Sequence, residues 1–302
     1  MTKKKKKNWI RISFILFCVA LPVLNWLVFY VYTNLSSFLM AFTTKDGAFT
    51  LDNFVRLFQE FQLSSSDIRI ALRNTLITFG LLVISYPFKV LVSFFIYKKI
   101  PFAGVYRILF FLPSIIFSVA LAMIFIRMVG PNGIIAQFVQ NVLHLEYVPE
   151  LLSDSRFANK VVLLHMLWLG FPGDLIIWGG TFARIPGEML EAGRIDGVTW
   201  WTEFTKIVVP MVWPTISLQI VMMACGIFGA SGAVFLLTRG EYGTMTLNAW
   251  TYLQVLNVAG TAETSGAFHY LSAVGFVMTV IAVFISLFIR RFADSYFEEV
   301  EF

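Results

Sequence analysis

"EAGRIDGVTWWTEFTKIVVP", Glu191–Pro210, is a polar segment lying between two long apolar runs. It holds Gly193 where a helix favours alanine, Gly197 four residues on, and the adjacent Trp200 and Trp201. A glycine in a helix interior costs about 0.5–1 kcal/mol relative to alanine. Gly193 beside Ala192 therefore points to something packed very close to that face. Upstream, Pro186 suits a first helical position, where its missing N–H is not needed. Glu188 and Glu191 then fall near the positive end of the helix dipole. Met189, Ala192 and Gly193 share one face by their spacing, and Gly197 is placed to close the helix in a left-handed C-cap. A second helix is expected from Thr199 or Trp200. It sets Trp200, Phe204 and Ile207 on one face with Trp201 beside them, and Pro210 marks the return to apolar sequence.

The surrounding composition sets the class. Of 302 residues, 58% are hydrophobic and 14% charged, whereas a water-soluble domain carries about a quarter charged residues. A soluble core cannot absorb that much apolar surface, so the chain reads as an all-α polytopic membrane protein. The net charge of +5 fits basic loops beside an anionic leaflet rather than nucleic acid, since no basic patch is interleaved with stackable aromatics. Cys18 and Cys225 both lie in apolar runs, which argues against a disulfide framework or a metal cluster. His144, His165 and His269 are scattered and make no ligand spacing.

At about 20 apolar residues per bilayer crossing, six spans are expected: Ile12–Tyr32, Thr75–Tyr97, Tyr106–Arg127, Val161–Phe182, Ile207–Leu237 and Phe268–Ile289. The first is too long for a cleavable signal and reads as an uncleaved span. The fifth is too long for one straight helix, and "GASGAV", Gly229–Val234, is expected to break or end it. Fourteen Lys and Arg fall on the putative inner side (Lys3 to Lys7, Arg11, Lys98, Lys99, Arg107, Arg184, Arg194, Lys206, Arg290, Arg291). Eight lie in the longer loops opposite. This asymmetry puts both termini and the 184–206 segment in the cytoplasm. Lys89 is expected to snorkel from the inner end of its span.

The expected organisation is a basic cytoplasmic tail (1–11), a first transmembrane helix (12–32) and an outer loop (33–74). A five-helix core (75–290) with a cytoplasmic loop (185–210) and a second cytoplasmic tail (291–302) complete it. Further outer loops fall near 128–160 and 238–267. They are either contact surfaces for an external partner or plain connectors over helix ends.

The order Glu191-Ala192-Gly193, three residues, Gly197, nine residues, Ile207, one residue, Val209-Pro210 resembles the E-A-A-x3-G-x9-I-x-L-P loop of binding-protein-dependent ABC importers. Asp196 before the glycine fits the sugar-transporting branch. Glycine for the third residue and valine for the leucine depart from the pattern. "YRILFFLPSIIFSVALAMIFIRMVGPNGIIAQFV", Tyr106–Val139, and "LTRGEYGTMTLNAWTYLQVL", Leu237–Leu256, are similar to the third-span region and the segment after the fifth span of maltose- and glycerol-phosphate-type permeases. The likeness is closer to the F-like subunit than to its G-like partner. It implies the type I ABC importer permease fold, with Glu191, Ala192, Gly193, Asp196, Gly197 and Trp200 on a helix that docks into an ATPase. It further implies a second homologous permease, two ATPase subunits and an extracytoplasmic solute-binding protein as partners, and a carbohydrate, most simply an oligosaccharide, as cargo. The chain has no G-x-x-x-x-G-K-[ST] phosphate loop, so ATP and Mg would be bound by the partner ATPase. Read without the resemblance, the same loop is an amphipathic connector on the membrane surface.

Polar groups in lipid are costly and mark candidate transport-path positions. Asp174, in "WLGFPGDLIIWGG", either faces the translocation cavity and binds sugar hydroxyls or pairs with a neighbouring helix. Gly170, Pro172 and Gly173 are expected to bend its helix. Trp168 and Trp178 flank that bend as sugar platforms or interface anchors. Gln219 and Ser217, with Ser114 and Ser118, are further path candidates, the serines equally serving interhelical packing. Trp250, Tyr252 and Asn257 are placed to meet substrate or binding protein. No paired carboxylates or nucleophile–base motif supports catalysis by the chain. An ion-coupled secondary transporter is the alternative, although Asp174, His165 and Lys89 are a thin supply for a proton relay. A membrane-embedded enzyme is disfavoured by the missing acid–base or metal cluster.

Overall fold

The computed structural model describes residues 2–63, 67–98, 100–143, 150–259 and 264–295. His144, Lys99 and the end of the C-terminal tail (296–302) lie outside the described residues. Among the described residues, helices account for the regular structure, with a lone bridge between Thr43 and Phe49. In order they are α1 (Thr2–Trp26), α2 (Thr33–Ala41), α3 (Asp52–Gln62), α4 (Asp67–Tyr97), α5 (Ala103–Ile115), α6 (Ser118–Val129) and α7 (Ile134–Leu143). There follow α8 (Ala158–Phe182), α9 (Gly187–Ile195), α10 (Trp200–Thr202), α11 (Val209–Cys225), α12 (Gly232–Leu237), α13 (Leu247–Ala259) and α14 (Thr264–Asp294). Among the described residues, six helical stretches are long and apolar enough to cross a bilayer: Arg11–Ala41, Asp67–Tyr97, Ser118–Val142, Ala158–Phe182, Trp200–Cys225 and Gly266–Ala293. The chain is a multi-pass membrane protein.

Two compact units are present. The first joins residues 1–62 with 254–279. There the rings of Phe42 and Phe54 lie 5.0 Å apart, and that of Phe276 sits 5.1 Å from Phe42. Asn53 fixes the turn before α3 by donating to the carbonyls of Ala41 and Thr43. Glu60 accepts from the Tyr270 hydroxyl at 2.6 Å and from Arg56 at 3.2 Å, while the Arg56 guanidinium lies over the Tyr270 ring. The first span runs on to Ala41, past the expected Tyr32, because a π-helical turn (Leu27–Tyr32) joins α1 to α2 without a break.

The second unit comprises residues 63–253 and 280–302. Its core packs Tyr86, Val90 and Phe94 of α4 against Trp178 and Phe182 of α8 and Val212 and Ile216 of α11. Two expected spans differ here. Tyr106–Arg127 is two helices, since Ile116 and Phe117 take extended backbone (ψ 139° and 134°) between α5 and α6. Pro113 weakens the last turn of α5 by removing a backbone donor, and a β-branched and an aromatic residue then settle into the β region. The fifth span ends as expected, but at Cys225, four residues before Gly229. After a turn the chain resumes in α12.

The loop after α12 is held by polar groups. Asn74 of α4 donates to the carbonyls of Gly243 and Met245 at 2.7 and 2.9 Å. Thr75 accepts from the Leu247 N–H at 2.9 Å, and Thr238 and Thr244 share a 2.6 Å hydrogen bond. All four side chains are buried. A loop over a membrane domain gains little from apolar burial, so directed hydrogen bonds carry its placement. Asn74→Ala removes two hydrogen bonds to the carbonyls of Gly243 and Met245, at about 0.5–1.5 kcal/mol each. Faster tryptic cleavage at the exposed Arg239 is the expected outcome in the purified protein, and an unchanged cleavage rate contradicts it.

Candidate functional site

The polar segment forms two helices around a tight reversal. Glu188 lies in the first turn of α9 and Arg194 in its last, both complementing the dipole. The helix ends as expected at Gly197, whose φ is +74°. The Val198 N–H donates to Gly193 O at 3.0 Å and the Gly197 N–H to Arg194 O at 3.1 Å, the paired bonds of a Schellman closure. Thr199 then caps the next helix by accepting from the Thr202 N–H. From Trp200 the chain is helical to Cys225. A π-helical turn, Glu203–Val208, includes the Val209 N–H bond to Phe204 O. That wider turn lies just ahead of Pro210, where a proline ring crowds the preceding carbonyl.

Gly193 is buried. A Cβ on it would lie 2.9 Å from Ile207 Cδ1, so the isoleucine tip occupies the notch that the missing side chain leaves. The expected close approach is therefore made by Ile207 of the same chain. The face differs from expectation: Gly193 points inward, whereas Met189, Ala192, Glu191 and Asp196 are exposed. Ile195 is 86% exposed, an apolar side chain on a polar helix that the sequence reading missed. Its only early signal was its place one residue before Asp196. Phe204 enters the core while Trp200 and Trp201 stay half-exposed. Trp200 rests on Phe95 of α4, ring centres 5.3 Å apart.

A second contact ties this segment to the bundle. Lys98, just past α4, pairs with the buried Glu203 at 2.5 Å. Neither residue stood out from its neighbours in sequence, since charge pairing between distant segments has no local pattern.

The expected path residues separate. Asp174 pairs with Lys89 of α4 at 3.1 Å. Lys89 does not snorkel; it is buried and also donates to Gly170 O at 2.9 Å. α8 stays helical from Ala158 to Phe182, through Gly170 and Gly173. Trp178 is 0% exposed and packs with Tyr86 and Phe182, so it belongs to the core and is neither a sugar platform nor an interface anchor. Trp250 is also buried, on α13 and not in a loop. Ser114 is exposed but donates to Phe111 O at 2.7 Å. Gln219 is partly exposed on α11, Tyr252 is exposed with its ring against Phe235, and Asn257 is exposed near the end of α13. His165 is buried between Phe125 and Trp168. Among the described residues, no three His, Cys, Asp or Glu side chains converge as for a metal. A cavity of about 600 Å³ opens between α4, α5 and α8, lined by Ile96, Tyr97, Arg107, Phe111, Gly179 and Gly180 among others.

No protein-family model matches the chain. It is 25% identical over 248 residues, 81% of each chain, to a probable ABC transporter permease protein of Brucella abortus. It is 23% identical over 221 residues, 72% of each, to the lactose transport system permease protein LacF of Rhizobium radiobacter. A 110-residue stretch, 36% of this chain and 21% of the other, is 31% identical to the maltose/maltodextrin permease MalF of Vibrio parahaemolyticus. In three dimensions it superimposes on a chain of a bacterial ABC transporter involved in the import of the acidic polysaccharide alginate, with a TM-score of 0.80 and 22% identity. That superposition covers 97% of this chain and 99% of the other.

The notch makes a coupled prediction. Gly193→Leu lowers the thermal unfolding midpoint of the purified protein, because its side chain collides with Ile207. Ile207→Val, which removes Cδ1, is milder in a Gly193→Ala background than in the wild type, with a coupling of about 0.5–1 kcal/mol in a double-mutant cycle. Additive effects contradict the packing described.

Proposed function

We propose, on the premise that this chain is an ABC importer permease by ancestry and fold, that it forms the membrane path of an ATP-driven importer of a carbohydrate. It is a transport subunit and not an enzyme. The observation that carries the reading is the α9 segment: a capped, rigidly seated helix presenting Glu191, Ala192, Asp196 and the exposed Ile195. An exposed isoleucine beside acidic groups is a surface made for a protein partner, and we take that partner to be an ATPase. Gly193 and Gly197 would give this helix its seat and its reversal, and Trp200 its rest on α4. A displacement of α9 would then reach α11 through Ile207 and the unbroken helix from Trp200 to Cys225. Coupling of this kind requires contacts that differ between the two states of the motor.

The assembly would hold a second homologous permease, two ATPase subunits binding ATP and Mg, and a solute-binding protein on the outer face of a bacterial cytoplasmic membrane. Both termini and α9 would lie in the cytoplasm, as the Lys and Arg distribution favours. Relatives named for lactose and maltose transport support a carbohydrate, and an oligosaccharide would be its simplest form. Asp174, Gln219 and Ser114 remain candidates for the path, Asp174 foremost because its carboxylate is partly open. The ion-coupled alternative loses ground, since Lys89 and Asp174 are spent on each other.

Two measurements check this. Glu191→Lys, on the exposed face, weakens co-purification of the ATPase subunits about tenfold while membrane insertion is retained; undiminished co-purification counts against the coupling surface. Asp174→Asn raises the KM of ATP-driven uptake without loss of assembly, and wild-type kinetics remove it from the path.

A further inference from the structure

Lys89 and Asp174 each lie eight residues from the inner end of their helices, at Tyr97 and Phe182. At 1.5 Å per residue the pair sits about 12 Å into the membrane. Its two ends are not equally accessible. The ammonium is enclosed by the Asp174 carboxylate at 3.1 Å, the Gly170 carbonyl at 2.9 Å and the Phe171 ring, centred 5.9 Å away. It fills the space beside Gly170, where a Cβ would lie 3.0 Å from Nζ. The lysine side chain is 7% exposed and the aspartate 23%. Asp174 meets the lysine through Oδ2. Gly173, Ile176, Ile177 and Gly180 make an exposed strip of α8 beside it.

A lone carboxylate at this depth is expensive, and an ion-pair partner offsets part of that cost. The arrangement buries the cation and leaves the anion open. A carboxylate only accepts hydrogen bonds. A sugar hydroxyl can donate to it, whereas the carboxylate of an acidic sugar is another acceptor and repels it.

We propose that Lys89 is a positioning residue that fixes the Asp174 carboxylate toward the transport path, and that the pair selects a neutral carbohydrate over an acidic one. This rests on the reading that Asp174 meets the carried solute. The structurally similar transporter is involved in the import of an acidic polysaccharide, alginate, so an acidic probe gives the proposal a direct contrast.

The test uses the complete importer, with its ATPases and binding protein, in proteoliposomes. Maltose and lactose serve as neutral probes and an alginate pentasaccharide as the acidic one. The wild type is expected to carry a neutral probe and not the acidic one. Lys89→Met raises the neutral-probe KM about tenfold, the worth of a charge-assisted hydrogen bond, with kcat retained; Lys89→Arg keeps KM near the wild-type value. The double variant Lys89→Met/Asp174→Asn leaves no unpaired buried charge, guards against misfolding, and shows the same raised KM. Preferential transport of the alginate pentasaccharide by the wild type overturns the proposal. So does a wild-type KM in both Lys89→Met and the double variant while Asp174→Asn alone raises it. A wild-type KM in Asp174→Asn sinks instead the underlying reading that the aspartate meets the solute.

Discussion

The seat of Ile207 in the notch at Gly193 is the contact on which the polar segment depends. It brings together residues fourteen positions apart and turns two short helices into one body. The left-handed turn at Gly197 makes the reversal possible, and the bonds from Val198 and Gly197 satisfy carbonyls that a helix end would otherwise strand. Lys98 then pins the far side through Glu203. Apolar packing between helices has no hydrophobic driving force inside lipid. At the polar end of the bundle, close steric fit and a buried ion pair hold the segment in place.

The same economy recurs deeper in the bundle. Toward the N-terminal end of α4, Asn74 and Thr75 hold the loop from Thr238 to Leu247 through backbone groups. Lower on the same helix, Lys89 reaches α8. Past its C-terminal end, Lys98 reaches the helix that leads into α11. α4 and the residue after it thus make three polar clasps, each to a different neighbour. Between them lies the aromatic packing of Phe94, Trp178 and Phe182, which fills space but does not specify register as hydrogen bonds do.

How much of this was legible follows from the range of each signal. The extent of α9, its C-cap at Gly197 and the need for a close neighbour at Gly193 are encoded within a few residues, and they could be read directly. The six apolar stretches were equally plain, being a matter of length and composition. The break at Ile116 and Phe117 was not, because no glycine marks it and Pro113 lies three residues earlier. The burial of Trp178 and Trp250 depends on what surrounds them in space. Pairing with a neighbouring helix was one of two readings of Asp174, but its partner could not be named, and Lys89 was expected to snorkel; the structure joins the two in one ion pair. Local pattern fixes helices and caps, while pairing across helices is tertiary and leaves no periodic trace.

The central claim is that α9 and α11 move as one body. It is tested most directly by a spin-label distance between the exposed positions Ile195 and Leu218, in the assembled transporter with Cys18 and Cys225 replaced. The account predicts the same narrow distance distribution with and without bound ATP, even as distances to the partner subunits change. A distribution that shifts or broadens when ATP binds would show the notch at Gly193 opening, and would contradict the account.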